Sequence, residues 1–177
     1  MSNRLKQSDL QRMFREDLGE CVINYSDSGS KPLYLTCGLP ISCDLKVYLF
    51  NCTNPPGGRK HDEFKSQLII ENQKKPERGR LTEAPGEFVL LVGYATPFED
   101  QMDGVYVIWE TERHREFSFS ANLQVKLEPM LETTEKKVVL YTKANGEVVI
   151  LAKRRYLVDA VEERLHEDIK ILLKEQV

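Results

Sequence analysis

The sequence is poor in the features that mark several common classes of protein. It has four cysteines, none of them in a Cys-x-x-Cys pair, and three scattered histidines, so we expect neither a zinc site nor a bound cofactor. No apolar run is long enough to span a membrane, and the first residues do not resemble a signal peptide. The net charge of −3 excludes a basic field over the whole protein. We therefore expect a cytoplasmic protein in which any nucleic-acid contact depends on a local patch.

The residue patterns of familiar enzymes are missing as well. Gly57-Gly58 lacks the Gly-Lys-Ser/Thr ending of a phosphate-binding loop, and no Gly-x-Ser-x-Gly elbow occurs. His61, His114 and His166 have no spacing that suggests a catalytic triad or a metal site. Catalysis therefore has little support in these motifs.

Length and periodicity predict a single domain over residues 1–177. Hydrophobic residues make up 41% of the chain and charged residues 30%, as in ordinary globular proteins. An apolar repeat that begins at Ser8 predicts a helix over residues 8–19, and a second apolar stripe predicts a helix over 156–174. Between them, residues 31–155 contain about seven or eight predicted short strands without βαβ alternation. We therefore predict a mainly β (α+β) fold, an open antiparallel barrel with N- and C-terminal helices.

Residues 44–70 combine two apolar strands with the densest polar cluster in the chain. Residues 45–53 are rich in β-forming types, 54–58 form a Pro/Gly turn, and 64–70 predict a returning strand. Period-two alternation places three polar side chains on one face of that strand: Glu63, Lys65 and Gln67. This charged hairpin is either a nuclease site or a surface that reads nucleic acid.

Two further hairpins are predicted downstream. Residues 88–94 and 105–109 predict an antiparallel pair, because both are apolar and a turn signal separates them. Residues 137–151 predict a hairpin with a type I′ turn at Asn145-Gly146. These elements form the body of the predicted barrel.

Asp44 followed by Glu63-Phe64-Lys65 has the outline of the Asp…Glu-x-Lys pattern of metal-dependent nucleases. In that chemistry two carboxylates hold a divalent cation and the lysine helps to activate water. The pattern is short, and residues 59–62 are charged where such enzymes carry an apolar run. In a hairpin whose two arms begin at Asp44 and Glu63, the two carboxylates lie at opposite ends. A metal-dependent endonuclease therefore remains an alternative.

Five blocks follow one another in a characteristic order: Asp44–Thr53, Arg59–Gln67, Leu90–Tyr94, Val105–Trp109 and Ser120–Val125. This order resembles that of domains attached to bacterial restriction endonucleases and adenine methylases. In those domains an Arg-x-x-(Asn/Asp)-Glu-(Tyr/Phe)-(Arg/Lys)-x-Gln segment precedes a Leu-Leu-x-Gly-(Tyr/Trp) strand, and a Ser-x-x-(Leu/Ile)-Gln-Val segment follows later. The resemblance covers residues 40–160. Lys60 and Ser66 depart from the pattern, which has proline and isoleucine at these places.

The resemblance implies a site-recognition module with the DNA-binding pseudobarrel, a seven-stranded open barrel with two helices that is similar to the plant B-three domain. The implied function is sequence-specific binding of double-stranded DNA in a bacterial restriction-modification or related phage-defence system. The implied partners are DNA and a nuclease or methylase domain or subunit, with no membrane.

The predicted DNA-binding residues are Arg59, Lys60, Glu63, Lys65, Gln67, Ser120, Asn122, Gln124, Lys126, Lys153, Arg154 and Arg155. Arginine and lysine suit guanine or phosphate, amides suit adenine, and a glutamate accepts from cytosine. Two structural alternatives stay open: Arg59 pairs with Glu63 to hold the turn, or the glutamines are buried amides that link strands. A third hypothesis makes the chain a subunit-interaction domain that docks through its C-terminal helix.

Overall fold

The computed structural model describes residues 4–26, 29–54, 60–70, 78–117 and 121–176. Within these ranges the chain forms three α-helices: α1 (Gln7–Leu18), α2 (Leu127–Glu132) and α3 (Leu157–Glu175). The strands are β1 (Val22–Tyr25), β2 (Leu33–Cys37), β3 (Asp44–Cys52), β4 (Glu63–Leu68), β5 (Gly79–Arg80), β6 (Glu87–Ala95), β7 (Val105–Trp109), β8 (Glu116–Phe117), β9 (Ala121–Lys126), β10 (Val139–Thr142) and β11 (Val148–Lys153).

Seven of the strands form one sheet in the order β1-β2-β3-β6-β7-β11-β10. Neighbours are antiparallel except β3 and β6, which run parallel from the pair Asp44 and Glu87 to the pair Cys52 and Ala95. Two small antiparallel sheets, β4-β9 and β5-β8, complete the strands that the structure describes. The mainly β, α+β prediction is confirmed, but the strands are more numerous than predicted and one pair is parallel.

The predicted pseudobarrel is not confirmed. In the described part of the chain the seven-stranded sheet does not close, and β1 and β10 are its two ends. The strands at its centre are apolar on both faces, so each face of the sheet needs its own cover. Helices cover one face, and the β4-β9 pair covers much of the other.

The helix face of the sheet holds the larger core. Leu10 and Phe14 of α1 and Val161 of α3 are fully buried there. They pack on inward residues of β3, β6, β7 and β11. The ring of Phe14 meets Tyr106 edge to face, with 5.6 Å between centroids. Among the described residues, no helix is both long and apolar enough to cross a membrane.

The opposite face holds a second core beneath β4 and β9. Leu68 and Leu123 of these strands are fully buried, as is Trp109 of β7. Met130 of α2 joins the same cluster. The described residues therefore form three layers, with the large sheet in the middle.

The two long helices lie within one residue of their predicted bounds, but the predicted N-terminal cap of α1 is wrong. Ser8 does not cap α1; the capping position is Lys6, which makes no side-chain cap. Gln11 instead donates from Nε2 to the Ser30 carbonyl at 2.7 Å. The predicted stop is confirmed, because Gly19 ends α1 with a φ of +64°.

The hairpin of β10 and β11 is confirmed, but its turn is not type I′. The Lys143 amide donates to the Glu147 carbonyl at 2.8 Å and closes a three-residue loop. Within that loop Gly146 has a positive φ of +91°, whereas Asn145 does not. A single left-handed glycine after a turn is the geometry of three-residue hairpins.

The predicted hairpin of residues 45–53 and 64–70 is wrong in its main pairing. The two segments meet in one bridge, Thr53 with Lys65. Beyond it β4 pairs with β9 along its whole length. The reason is that β3 is apolar on both faces and is taken up as an inner strand of the large sheet.

Candidate nucleic-acid interface

Strands β4 and β9 form a two-stranded ribbon whose outward face is polar. Three cross-strand pairs make up this face: Glu63 with Lys126, Lys65 with Gln124, and Gln67 with Asn122. The alternating residues point inward and include Ser66, Leu68, Leu123 and Val125, all buried. Six of the predicted site residues, drawn from two distant segments, therefore share one surface, which we call the polar face.

Close packing holds the ribbon against the large sheet. The Ser66 hydroxyl donates to the Asn51 carbonyl of β3 at 3.1 Å. A Cβ added at Gly93 of β6 would lie 2.8 Å from the Trp109 ring and 3.0 Å from the Ser66 Oγ. Glycine at this position is therefore what allows the ribbon and the indole to approach the sheet.

The middle pair of the polar face is tied from both edges of the ribbon. Lys65 exchanges two backbone hydrogen bonds of 2.9 Å with Thr53. Directly opposite, the Gln124 carbonyl accepts from Trp109 Nε1 at 2.9 Å and from Lys143 Nζ at 3.2 Å. Because these bonds use backbone atoms, the side chains of Lys65 and Gln124 stay available on the outside.

Within the described part of the chain, the fold makes no use of the side chains of the polar face. None of the six makes a hydrogen bond or an ion pair with any residue that the structure describes. Gln67, Asn122, Gln124 and Lys126 are exposed, and Glu63 and Lys65 are half-buried. The alternative that Gln67 and Gln124 are buried linking amides is therefore wrong. Solvent-accessible donors and acceptors on a fixed backbone are suited to binding a polar ligand.

The other predicted site residues lie beyond the polar face or outside the residues that the structure describes. Arg59 and Ser120 are outside the described residues, so their predicted contacts, and the pairing of Arg59 with Glu63, stay predictions. Lys60 is exposed just before β4, and its carbonyl accepts from the Glu63 amide at 3.2 Å. Lys60 therefore lies next to one end of the polar face.

The basic run at residues 153–155 is divided among three environments. Lys153 pairs with Asp103 at 3.2 Å. The Arg154 guanidinium grips Asp17 of α1 with bonds of 2.8 and 2.9 Å, and it also donates to a carbonyl. Arg155 is exposed and lies 5.0 Å from the centroid of the Tyr156 ring. Two of these three cations are thus engaged in holding the fold together.

The nuclease alternative meets a geometric obstacle. Asp44 is the first residue of β3, whereas Glu63 and Lys65 lie where β4 approaches Thr53, just past the other end of β3. A strand of this length spans about 30 Å. Among the described residues, no group of three or more histidine, cysteine or acidic side chains is placed to hold a metal. Asp44, Glu63 and Lys65 therefore do not form one site.

A buried polar network lies at the end of β7, and no sequence pattern predicts it. The Glu147 carboxylate is 1% exposed and accepts from His114 at 2.7 Å, while Lys143 lies 3.4 Å away. Burial alone would raise the pKa of Glu147, but the bonds from His114 and Lys143 outweigh it and lower the pKa. Glu110 accepts from Arg113 at 2.7 Å. These charges come from separate loops, so periodicity does not reveal them.

A further unpredicted pair lies inside α3. Arg164 is fully buried and binds Asp168 at 3.0 Å and the Val148 carbonyl at 2.6 Å. Its Nη2 is buried without a hydrogen-bond partner among the described residues. Burial raises the pKa of Asp168 to about 6, against the opposing effect of Arg164. Asp168 also lines a cavity of about 400 Å³ beside Phe88 and Leu172.

The chain matches a known family of proteins. The model of a family described as methylase-associated X1 matches residues 43–161, from the start of β3 into the first turns of α3. The match contains both strands of the ribbon. No curated protein and no solved structure matches the chain.

Proposed function

Because the chain belongs to the methylase-associated X1 family, we propose that it recognises a double-stranded DNA site for a restriction-modification or related defence system. The observation that carries this proposal is the polar face: six polar side chains in three cross-strand pairs. None of the six is paired with a described residue, and the large sheet supports the ribbon from its inward side. The family description supports the link to methylase systems. The DNA contacts are our own inference from the chemistry of the ribbon.

The size of the ribbon suits the major groove of DNA. That groove is about 12 Å wide and admits a two-stranded β-ribbon. The two strands lie about 4.8 Å apart, so both rows of side chains reach the same stretch of base edges. The polar face then meets the bases directly while the apolar side of the ribbon stays on the sheet.

The side chains of the polar face cover the main kinds of base contact. Gln67 and Asn122 lie opposite each other, and amides bind adenine through its N6 and N7 atoms. Lys65 and Lys126 suit guanine or phosphate, and Glu63 suits the amino group of cytosine. This mixture supports reading of a defined sequence, whereas binding to the backbone alone needs mainly cations.

The first test is selection of duplexes from a randomised DNA library, followed by measurement of affinity for the selected site. Gln67→Ala and Asn122→Ala should each cost about 1–3 kcal/mol and relax the preference at one base pair. The physical reason is the loss of a hydrogen-bonded pair at a base edge. Fluorescence anisotropy on the selected site and its single-base variants measures both effects.

Gln176→Ala supplies the matched control, because Gln176 is an exposed amide beyond α3. It should bind like the wild type. No retention of any duplex at low salt would contradict the proposal. Cleavage that requires magnesium and is lost in Glu63→Ala would favour the endonuclease instead.

A second candidate function is docking on a methylase subunit through α3. The last turns of this helix expose three large apolar residues: Ile169, Leu172 and Leu173, at 42%, 43% and 60%. Exposed apolar side chains that cluster on one element mark interaction sites. The family description makes a methylase the occupant that we propose. This docking is compatible with DNA recognition by the ribbon.

A further inference from the structure

The loop between β10 and β11 lies beside the ribbon. Lys143 at the start of this loop reaches the Gln124 carbonyl of β9 at 3.2 Å. Arg113 reaches the same loop, because its Nη1 donates to the Asn145 carbonyl at 3.1 Å. Lys143 thus lies at the edge of the ribbon that faces away from β4, and Arg113, from a separate segment, lies against the same loop as Lys143.

Both cations keep donors that no described residue occupies. The ammonium of Lys143 has three donors, and the described residues occupy two of them, at Gln124 and Glu147. The guanidinium of Arg113 binds Glu110 through Nε and Asn145 through Nη1. Its Nη2 makes no hydrogen bond with a described residue, and the Arg113 side chain is 42% exposed.

The carboxylates that accompany these cations lie deeper. The side chains of Glu147 and Glu110 are 1% and 7% exposed. An anion that approaches from solvent therefore meets the cations first. Glu147 also has a closer partner in His114, at 2.7 Å against 3.4 Å for Lys143. The interaction of Glu147 with Lys143 is therefore the weaker of the two.

We propose that Lys143 and Arg113 bind the phosphate backbone of DNA along the β9 edge of the ribbon. A ribbon in the major groove has a sugar-phosphate strand on each side, and cations at its edges face these strands. Lys60 lies near the β4 strand, whereas Lys143 and Arg113 lie on the β9 side. This inference rests on the proposed function, and it gives Lys143 and Arg113 the phosphate contacts for which the sequence offered the basic residues 153–155.

The test compares the salt dependence of binding for Lys143→Met and Arg113→Met with that of the wild type. The probe is a duplex two helical turns long of mixed sequence, with the site selected above as a second probe. Each substitution should weaken binding to both probes by a similar factor. Each should also make the plot of log affinity against log salt concentration less steep by about 0.9, the value for one lost phosphate contact.

Lys136→Met is the matched control, because Lys136 also pairs with a glutamate four residues away but lies on an exposed turn after α2. It should leave the slope at the wild-type value. Lys143→Arg should restore most of the slope, since it keeps the charge. Thermal unfolding of each variant shows whether the fold is intact, and Arg113→Met, at a more exposed side chain, provides the result if Lys143→Met does not fold.

The outcomes separate this inference from the proposed function. Unchanged slopes for the two substitutions, with weaker binding by Gln67→Ala, overturn the phosphate contact and leave the ribbon as the binding surface. No binding by the wild type at low salt overturns both. Slope changes equal to those of Lys136→Met would likewise count against the contact.

Discussion

Gln124 contributes to the polar face through two different groups. Its side chain is exposed on the outward face, while its carbonyl accepts from the Trp109 indole and from Lys143. The hydrogen bond from the buried Trp109 indole therefore helps to fix the position of β9 relative to the large sheet. Trp109 thus positions Gln124, which is proposed to contact DNA, although Trp109 itself is buried away from the polar face.

Trp109→Phe should separate positioning from contact. The substitution removes the indole donor and part of a fully buried ring, so we expect a loss of about 1–3 kcal/mol of unfolding free energy. Binding to the selected DNA site should weaken as well, because the middle pair of the polar face loses one of its anchors. Urea unfolding and fluorescence anisotropy measure the two effects.

Tyr106→Phe is the comparison on the opposite face of the sheet. It removes a hydroxyl that donates to Asp17 at 2.6 Å, at a cost of about 1 kcal/mol. DNA binding should stay at the wild-type value. Equal binding losses in the two variants would show that Trp109 acts only through stability.

At this scale the sequence predicts which side chains share a strand face but not which strands are neighbours. Alternation correctly groups Glu63, Lys65 and Gln67, because the period of a strand is a local property. Their pairing with Lys126, Gln124 and Asn122 joins segments about sixty residues apart. For the same reason the sequence suggests that Arg154 is available to bind DNA, whereas in the structure it is paired with Asp17, far away in the sequence.

At the scale of the elements, α3 is covered at one end and exposed at the other. Its first turns bury Leu157, Ala160 and Val161, whereas its last turns expose Ile169, Leu172 and Leu173. The apolar stripe was predicted over the whole helix. An apolar stripe shows which face of the helix is hydrophobic, but it does not show how far along the helix the sheet covers that face.

The docking candidate predicts that Leu172→Asp and Leu173→Asp abolish co-purification of this chain with a methylase subunit. A charge placed in a buried apolar contact carries a desolvation cost of several kcal/mol. The measurement is affinity capture of the two co-expressed proteins, followed by analytical size exclusion.

Leu140→Asp is the control substitution, since Leu140 is 47% exposed on the edge strand β10. The complex should survive it. Capture that persists in both α3 variants would exclude this helix as the docking element, and DNA binding should be normal in all three.

In the whole molecule, Asp168 makes stability depend on pH in an unusual direction. Its pKa is raised to about 6 in the folded protein by burial, against an ordinary value of about 3.9. The folded state therefore holds the proton more tightly than the unfolded state. The stabilising effect is complete below the ordinary pKa and is lost as the pH rises to about 6.

Asp168→Asn should flatten this part of the stability profile. We expect the difference in unfolding free energy between pH 4 and pH 7 to shift in favour of pH 7 relative to the wild type. Asp159→Asn, at an exposed position on the same helix, should leave the profile unchanged. Urea unfolding across this range measures both variants, and parallel profiles for wild type and Asp168→Asn would contradict the assignment.

The architecture as a whole was predictable in class and not in arrangement. The terminal helices and most strands follow from local periodicity and turn signals. The parallel contact of β3 with β6 does not, because the intervening residues contain strands that suggest a simple hairpin succession. A two-faced core also differs from the interior of a barrel, although both need inner strands that are apolar on each side.

The parallel contact has a consequence for how such a domain can diversify. Parallel neighbours require a long crossover, and here the crossover from β3 to β6 carries β4, while the excursion from β7 to β10 carries β9. Both strands of the ribbon thus lie in segments that connect strands of the seven-stranded sheet, and neither belongs to that sheet. Their outward residues can be exchanged, and their loops lengthened, without shifting the register of the seven-stranded sheet. The scaffold and the polar face can therefore vary separately.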